Sequence, residues 1–384
     1  MLQSLKILIS GDFCPSMMPP PTSINPSSLI YSSDMMGMFA DFNLKILNLE
    51  CPLTNEVLPL DKTGPSLKAS PLWGQRLCNS KIDLVSLSNN HILDFGQSGL
   101  SETVRVLQNN NIQYVGAGLS KQEASKPYHY SFNGMTVSIL NFSEHEYASA
   151  NSMYGGGNPI DPIDNEEVIR NESTLCDHVI VIVHGGSENI SVPNPQYRKL
   201  LRFYARCGAS LVVGHHSHVI SGMELYKKVP IYYSLGNHYF PWTKQSAIEW
   251  NTGMSLIVTI SKETLLCEHL FTQFNNENVE IIAKSTPLFL SVNNQFVANC
   301  NLVNNEEEFD NYWDTYFKKN YMSVVLKMFV ANRYLRLLVR LRFIAVNRLI
   351  HKMSFLRYYH TLNCESASSI VVSMLEKYRN RFYR

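Results

Sequence analysis

Short apolar runs alternate with helical segments through the first 260 residues, and this alternation restricts the fold more than any other feature of the sequence. Helical spacing of apolar residues is clearest at residues 99–111 and 195–208. Strands that are buried on both faces and separated by helices are typical of an α/β sandwich. The predicted strands lie within residues 5–11, 44–50, 81–91, 111–118, 135–144, 177–189, 209–216, 229–240 and 252–261.

Polar side chains that can bind metal ions follow most of these apolar runs, at the point where the strand is predicted to end. They are Asp12, Glu50, Asn90 with His91, His184, and His216 with His218, while Glu144 with His145 is an outlier. The carboxyl ends of strands in an open α/β sheet gather at one edge, so we expect these residues to converge there. Carboxylates, an amide and imidazoles favour Mn, Fe, Zn or Mg over a cysteine-rich structural zinc site. The sequence therefore predicts a site for one or two divalent metal ions.

Six short motifs occur in order along the first 240 residues. They are GDFCP (11–15), NLECPLT (48–54), SNNHILDFGQSGL (88–100), HGGSEN (184–189), GHHSHVISGMELY (214–226) and YSLGNHYF (233–240). In this order they resemble the motifs of the CapA-like proteins of capsule and poly-γ-glutamate synthesis. The resemblance covers about residues 5–260 and implies the calcineurin-like metallophosphoesterase fold, a four-layer α/β/β/α sandwich. It also implies a metal-dependent hydrolase that acts on phosphate esters or anhydrides during synthesis or export of an anionic polymer.

The resemblance implies a metal-binding role for each matching position. Asp12 and His218 would hold a first metal ion, and Glu50 would bridge the first ion to a second. The remaining ligands of the second ion would be Asn90, His184 and His216.

Three further residues receive catalytic or supporting roles from the same resemblance. His91 would face the scissile phosphate and stabilise or protonate the leaving group. Asp94 would orient His91, and Glu188 would support the metal ligands or contact substrate.

The chain departs from the parent superfamily at the first motif. Residues 12–14 read Asp-Phe-Cys instead of Asp-x-His, so one histidine ligand is missing; we interpret Cys14 as a buried thiol. Glu50 stands where an aspartate is usual, and His215 is an additional histidine. We interpret His215 as a residue outside the ligand set, either facing solvent or hydrogen-bonded at the strand end.

These departures keep open a second hypothesis of a different class. The chain could be a non-catalytic accessory module whose metal or pocket binds a polymer or a capsule-synthesis partner. A nuclease is disfavoured because the region before the tail is acidic and would repel nucleic acid. We therefore expect an anionic polymer or a small phosphorylated substrate, and no nucleic acid, as the ligand.

Charge is divided unequally along the chain. Residues 310–384 carry fourteen Lys/Arg and four Asp/Glu, whereas the rest of the chain carries nineteen and twenty-eight. We predict a CapA-like domain over 1–265, a connecting segment over 266–310 and a basic, amphipathic helical tail over 311–384. Residues 321–360 could pack on the domain, lie on an anionic membrane surface or bind an acidic partner.

Cysteine usage and hydropathy bear on the compartment. The eight cysteines are scattered without a closely spaced pair, as expected of free thiols in a reducing compartment. The N-terminal apolar run is short and followed by an acid, so it predicts a strand and not a signal peptide. No run reaches the length of a membrane-spanning helix. We expect a cytoplasmic protein, with peripheral contact at the inner membrane face if the tail binds lipid.

Overall fold

The computed structural model describes residues 4–16, 25–241, 248–275, 278–330, 332–345, 349–350 and 352–363. The strands are β1 (Leu5–Phe13), β2 (Leu44–Leu49), β3 (Leu84–Ser86), β4 (Gln113–Val115), β5 (Ala117–Gly118), β6 (Tyr128–Phe132), β7 (Met135–Ser143), β8 (Gly156–Gly157), β9 (His178–His184), β10 (Leu211–His215), β11 (Met223–Tyr226), β12 (Val229–Tyr232), β13 (Asn237–Tyr239), β14 (Thr252–Ile260), β15 (Leu265–Phe274) and β16 (Val279–Ile281).

Helices connect these strands and continue beyond them. They are α1 (Ser33–Met38), α2 (Leu72–Asn79), α3 (Gly96–Asn109), α4 (Lys121–Ala124), α5 (Pro162–Leu175), α6 (Pro195–Cys207), α7 (Ile248–Asn251), α8 (Pro287–Asn304), α9 (Glu306–Phe329), α10 (Arg333–Arg340) and α11 (Lys352–Asn363), with a 3-10 turn at Phe39–Asp41. The chain divides into two compact units, Met1–Phe309 and Asp310–Arg384.

Two large sheets form the first unit. The first sheet has the order β16-β15-β14-β1-β2-β3-β4, with β13 paired to β1, and the second has the order β11-β12-β10-β9-β7-β6. Strands β1 to β4 are parallel to one another, as are β7, β9, β10 and β12. The carboxyl ends of the central strands therefore share one edge in each sheet. Residues 266–310, predicted as a connecting segment, contribute most of β15, all of β16 and α8 to this unit.

The two sheets face each other across a continuous apolar core. Ile7 and Ile46 of the first sheet belong to the same buried cluster as Ile139, Ile180 and Val213 of the second. Each fully buried side chain of this size contributes about 1.5–3 kcal/mol to folding. This core explains why the central strands are apolar on both faces.

Helices cover the outer faces of both sheets. Leu8 and Leu47 point away from the second sheet and pack in a cluster with Trp73 of α2 and Leu100 of α3. Helices α5 and α6 pack against β9 and β10 of the second sheet. The order helix, sheet, sheet, helix confirms the predicted four-layer α/β/β/α sandwich.

The second unit contains most of α9, together with α10 and α11. Trp313 of α9 packs against Tyr316 and Phe317, one turn further along the helix. Asn332 caps α10 by accepting a hydrogen bond from the backbone N–H of Tyr334. Among the residues that the structure describes, no helix is both long and apolar enough to cross a membrane. The predicted amphipathic tail remains a prediction, and its residues 364–384 lie outside the described ranges.

Candidate metal centre

The six side chains predicted as metal ligands converge at the carboxyl ends of strands from both sheets. In the first sheet, Asp12 is the last residue but one of β1, Glu50 directly follows β2 and Asn90 lies beyond β3. In the second sheet, His184 ends β9, and His216 and His218 follow β10. All six are buried, and Asp12 and Glu50 are fully inaccessible.

Glu50 lies between the two groups of potential ligands. Its Oε1 is 3.6 Å from His184 Nε2 and 3.6 Å from His218 Nε2. Within the described residues, neither carboxylate oxygen of Glu50 has a hydrogen-bond partner. Burial, followed by the nearby charge of Asp12, raises the pKa of Glu50 well above its usual value. A buried carboxylate without a partner is unfavourable, and a cation between these side chains would compensate for it.

The atoms around His184 have the spacing of ligands that share one ion. His184 Nε2 lies 3.1 Å from Asn90 Oδ1 and 3.1 Å from His216 Nδ1. Two donors bound to one zinc-sized ion at tetrahedral or octahedral angles lie about 3.0–3.4 Å apart. Asn90, His184, His216 and Glu50 could therefore hold one divalent ion.

Asp12 and His218 are neighbours in the same cluster, and Glu50 lies within reach of both. Asp12 Oδ2 is 3.5 Å from His218 Nδ1 and accepts a hydrogen bond from the His216 backbone N–H at 3.1 Å. His218 Nδ1 also lies 3.0 Å from Asn237 Oδ1, which can accept its proton and so leaves Nε2 for a metal ion. Asp12, Glu50 and His218 could thus contribute to a second position.

Imidazoles control the ionisation of Asp12. Burial alone would raise the pKa of Asp12, but interactions with His215 and His218 outweigh burial and lower that pKa well below its usual value. The pKa of His184 is also lowered, first by burial and then by the neighbouring His216. An ionised carboxylate beside neutral imidazoles is the protonation state that metal binding requires.

The sequence did not identify two residues that support this centre. Asn48 Nδ2 donates to Asp12 Oδ1 at 2.7 Å and lies 3.2 Å from His184 Nδ1, while Asn48 Oδ1 accepts from Ser86 Oγ. Asn48 lies near the end of β2, two positions before Glu50, and this spacing is a signal that could have revealed it.

His215 is the second such residue. It is 1% exposed, and its Nδ1 lies 3.1 Å from Asp12 Oδ1. The ring of His215 is therefore buried. Of the two alternatives for this histidine, the one in which it faces solvent is wrong. Cys14, where the superfamily has its missing histidine, is a buried free thiol.

The loop that carries the paired histidines has an unusual backbone. His216 and His218 adopt positive φ angles of 88° and 60°. For residues other than glycine this conformation costs about 1–3 kcal/mol and persists only when surrounding structure enforces it. The Asp12 carboxylate is one such constraint, because it binds the His216 N–H.

Close packing of Gly11 against Gly236 brings Asp12 next to the chain segment that precedes β13. The Asp12 N–H donates to the Gly236 carbonyl oxygen at 2.9 Å. A Cβ atom on Gly11 would lie 2.1 Å from that oxygen. Glycine at position 11 therefore allows β1 to approach the chain before β13 closely enough to make this bond.

His91 and Asp94 form a hydrogen-bonded pair beside the candidate ligands. His91 Nδ1 lies 2.7 Å from Asp94 Oδ2. A carboxylate can only accept, so Nδ1 carries the proton and Nε2 is left for a ligand. Lys62, which the sequence did not suggest, bonds to Asp94 Oδ1 and lies 3.1 Å from His91 Nδ1.

A cavity of about 220 Å³ opens beside this pair. Glu188 lines the cavity but is exposed. Glu144 instead accepts a hydrogen bond from the Gly186 N–H at 2.8 Å and supports the loop after β9. Residues lining the cavity include Lys62, Asn90, His91, Glu146, Glu188 and His218.

Comparison with known proteins indicates, for most of the first unit, the same family as the sequence motifs. The sequence model of the family described as "Bacterial capsule synthesis protein PGA_cap" matches residues 18–241. The chain is 34% identical over 166 residues to "PGA biosynthesis protein CapA" of Bacillus subtilis, covering 42% of this chain and 44% of that protein. It is 30% identical over 171 residues to "Capsule biosynthesis protein CapA" of Bacillus anthracis, covering 42% and 41%.

More distant similarities extend further along the chain. A "Probable polyglutamine synthesis accessory protein" of Mycobacterium tuberculosis is 25% identical over 205 residues, covering 50% of this chain and 54% of that protein. A crystal structure of a hypothetical protein from Thermus thermophilus has a TM-score of 0.45 at 14% identity, covering 71% of this chain and all of that one. The chain spans about half the length of the curated relatives that it matches.

Proposed function

Because the chain belongs to the family of bacterial capsule synthesis proteins described as PGA_cap, we propose that it is a metal-dependent hydrolase of phosphate esters or anhydrides that serves capsule or poly-γ-glutamate synthesis. The observation that carries the proposal is the buried Glu50 carboxylate, which has no hydrogen-bond partner in the described structure and lies between two sets of potential ligands.

The metal site would be built from the residues that surround Glu50. Asn90, His184 and His216 would hold one ion, Asp12 and His218 would hold a second, and Glu50 would serve both. Mn, Fe, Zn and Mg all accept nitrogen and oxygen ligands of this kind. Divalent ions held there would supply Lewis acidity and neutralise negative charge on a phosphoryl group.

The His91–Asp94 pair provides the chain's own means of moving a proton. Asp94 accepts the Nδ1 proton of His91 at 2.7 Å and so fixes the ring and its tautomer. The Nε2 atom is then the nitrogen that a substrate in the cavity can reach. In its doubly protonated form His91 would donate the Nε2 proton to the leaving oxygen while the Nδ1 proton stays hydrogen-bonded to Asp94, and solvent would then restore the Nε2 proton. Asp94 would act as a positioning residue.

Acidic residues at the cavity make anion binding depend on the metal ions. Glu146 and Glu188 line the cavity, and Asp12 and Glu50 lie beneath it among the ligands. Without cations, these carboxylates would repel a phosphorylated substrate or an anionic polymer. The ring of Trp250 lies 4.9 Å from that of His218 and limits access of water on this side.

The biological setting is proposed on the same basis. We expect partners from a capsule-synthesis system, a cytoplasmic location and, if the basic tail over 321–360 binds lipid, peripheral contact with the inner membrane face. The mycobacterial relative's name favours a second candidate, a non-catalytic accessory protein that uses the same pocket for binding.

Elemental analysis combined with a hydrolysis assay distinguishes the two candidates. Metal content and hydrolysis of bis(p-nitrophenyl) phosphate would be measured for wild type and for the His216→Ala/His218→Ala double variant. The exposed His145→Ala variant is the control. Near-stoichiometric metal and activity in wild type, both lost in the double variant, would support the hydrolase. Metal without hydrolysis of any phosphate ester would support the accessory role. No metal after reconstitution would refute the hydrolase and leave the accessory role as a pocket that binds without metal.

A further inference from the structure

Residues 60–67 form a segment that is fixed to Asp94 at three points. The Leu60 N–H donates to the Asp94 carbonyl oxygen at 2.7 Å, and the Leu67 N–H donates to Asp94 Oδ2 at 2.6 Å. Between them, the Lys62 ammonium bonds to Asp94 Oδ1. The segment therefore covers the His91–Asp94 pair and carries Lys62 into the wall of the cavity.

The Lys62 ammonium is enclosed, yet its hydrogen-bonding capacity is not used up by its neighbours. The side chain is 3% exposed. Of its three N–H groups, one is directed to Asp94. His91 Nδ1, at 3.1 Å, already carries a proton bonded to Asp94 and cannot accept another. Within the part of the chain that the structure describes, two N–H groups thus remain for a ligand.

We propose that Lys62 binds an anionic oxygen of the substrate in this cavity and so selects and orients a phosphate or carboxylate group beside His91. This proposal rests on the proposed function. Lys62 is the cationic side chain among the described residues that line the cavity, where the other charged groups are Glu146 and Glu188. A substrate anion would therefore find one ammonium partner from the protein, in addition to any bound metal ions.

Asp94 gives the ammonium a fixed position. A free lysine side chain loses rotamer entropy when a ligand immobilises it. In this structure the bond to Asp94 and the enclosing segment have already fixed the side chain, so that loss occurs on folding and not on binding. Asp94 thereby positions both His91 and Lys62 around the same point in the cavity.

The alternative is that Lys62 only fastens its segment to Asp94. Lys68 separates the two possibilities because it lies on the same stretch of chain outside the cavity. Its ammonium bonds to the Glu56 carbonyl oxygen and lies 4.7 Å from the centre of the Phe95 ring. Loss of either lysine removes a contact between an ammonium group and the rest of the protein, but only Lys62 lines the cavity.

The test compares Lys62→Met, Lys62→Gln and Lys68→Met with wild type, all loaded with manganese. Inorganic phosphate is the probe, and its Kd is measured by isothermal titration calorimetry. Metal content, the unfolding midpoint, and the kcat and KM for a phosphate ester are measured in parallel. We expect Lys62→Met to weaken phosphate binding about 10- to 100-fold, the loss of one charged hydrogen-bonding group, and to raise KM with unchanged metal content. Lys68→Met should leave the phosphate Kd within twofold of wild type.

The variants are chosen so that failures can be told apart. If Lys62→Met does not fold, Lys62→Gln retains a donor for Asp94 without the charge and should show the weakened binding. Wild-type phosphate affinity in a folded, metal-loaded Lys62 variant would overturn the proposal and leave the proposed function standing. A wild-type protein that holds manganese but neither binds phosphate nor hydrolyses its esters would overturn both.

Discussion

His184 Nε2 lies 3.1 Å from Asn90 Oδ1, although 94 residues separate the two along the chain and they belong to different sheets. Asn90 follows β3 of the first sheet, and His184 ends β9 of the second. An ion bound by both residues would link the two sheets where the carboxyl ends of their central strands meet. Metal binding should therefore stabilise the folded state. At a free metal concentration of 100 times Kd, the free energy of unfolding should increase by about 2.7 kcal/mol.

Replacing Glu50 with Gln should affect metal binding and metal-free stability in opposite directions. The variant should lose most bound metal, since Glu50 lies within reach of both candidate positions. Without metal, its unfolding midpoint should equal or exceed that of wild type, because a buried carboxylate without a hydrogen-bond partner in the described structure has been removed. Thermal unfolding with EDTA and with manganese measures both effects. Full metal content in Glu50→Gln would contradict the assignment of Glu50 as a ligand.

Replacing Asp94 with Asn should impair hydrolysis while leaving metal binding intact. The asparagine amide can donate to His91 Nδ1, which would move the ring proton to Nε2 and reverse the tautomer. Loss of correct proton transfer typically reduces rate about 10²- to 10⁴-fold. Steady-state kinetics and elemental analysis would be compared with wild type. Equal losses of metal and activity would instead indicate that Asp94 maintains the ligand cluster.

Replacing Gly11 with Ala should destabilise the protein and weaken metal binding. The added methyl group would lie 2.1 Å from the Gly236 carbonyl oxygen, which accepts the Asp12 N–H. Overpacking of this kind costs about 1–3 kcal/mol. Chemical denaturation measures the change, and Gly37→Ala on α1, where no atom lies within 4 Å of the new methyl group, is the matched control. That control should be neutral or slightly stabilising; equal stability of both variants would contradict the prediction.

Replacing His238 with Gln should reduce the loss of stability in acid. Burial lowers the pKa of His238 to about 3, whereas in the unfolded chain it is about 6.5. As pH falls below 6.5, the unfolded state binds a proton that the folded state does not, so stability decreases until pH approaches 3. For this one group the loss is about 2 kcal/mol at pH 5.

Denaturation curves between pH 7.5 and 5 provide the measurement for His238. Gln can still bond to the Tyr31 hydroxyl, which lies 3.1 Å from His238 Nε2. The exposed His145→Gln variant serves as the control and should follow wild type. Parallel pH profiles for His238→Gln and wild type would show that this imidazole is not the acid-sensitive group.

The central strands could be predicted because their burial leaves a local signal. Strands β1 and β9 are largely apolar, and each carries a candidate ligand at or next to its last residue. The sequence pattern does not predict strand β15, most of which falls in the predicted connecting segment, because Glu268 and His269 interrupt its apolar pattern. Its place in the sheet is fixed by pairing with β14, which is a tertiary interaction.

The candidate site also combines residues that leave a local signal in the sequence with residues that only tertiary folding brings into place. The motifs identified the residues that converge around Glu50, because strand ends in parallel sheets share an edge. They did not identify Lys62, which lies on an irregular segment and meets Asp94 only through tertiary folding. The motifs separate His216 and His218 from His215, but the sequence gives no sign that His215 turns inward beside Asp12.

The positive φ angles of His216 and His218 limit how this site can be transferred to another protein. A peptide with the sequence GHHSH would relax to ordinary backbone conformations and separate the imidazoles that correspond to His216 and His218. In the folded chain the Asp12 carboxylate, 204 residues away, helps to hold that loop in place. Grafting the five residues onto a new scaffold should therefore fail unless an acceptor for the His216 N–H is grafted with them. The histidine motif is best regarded as one half of a two-part module.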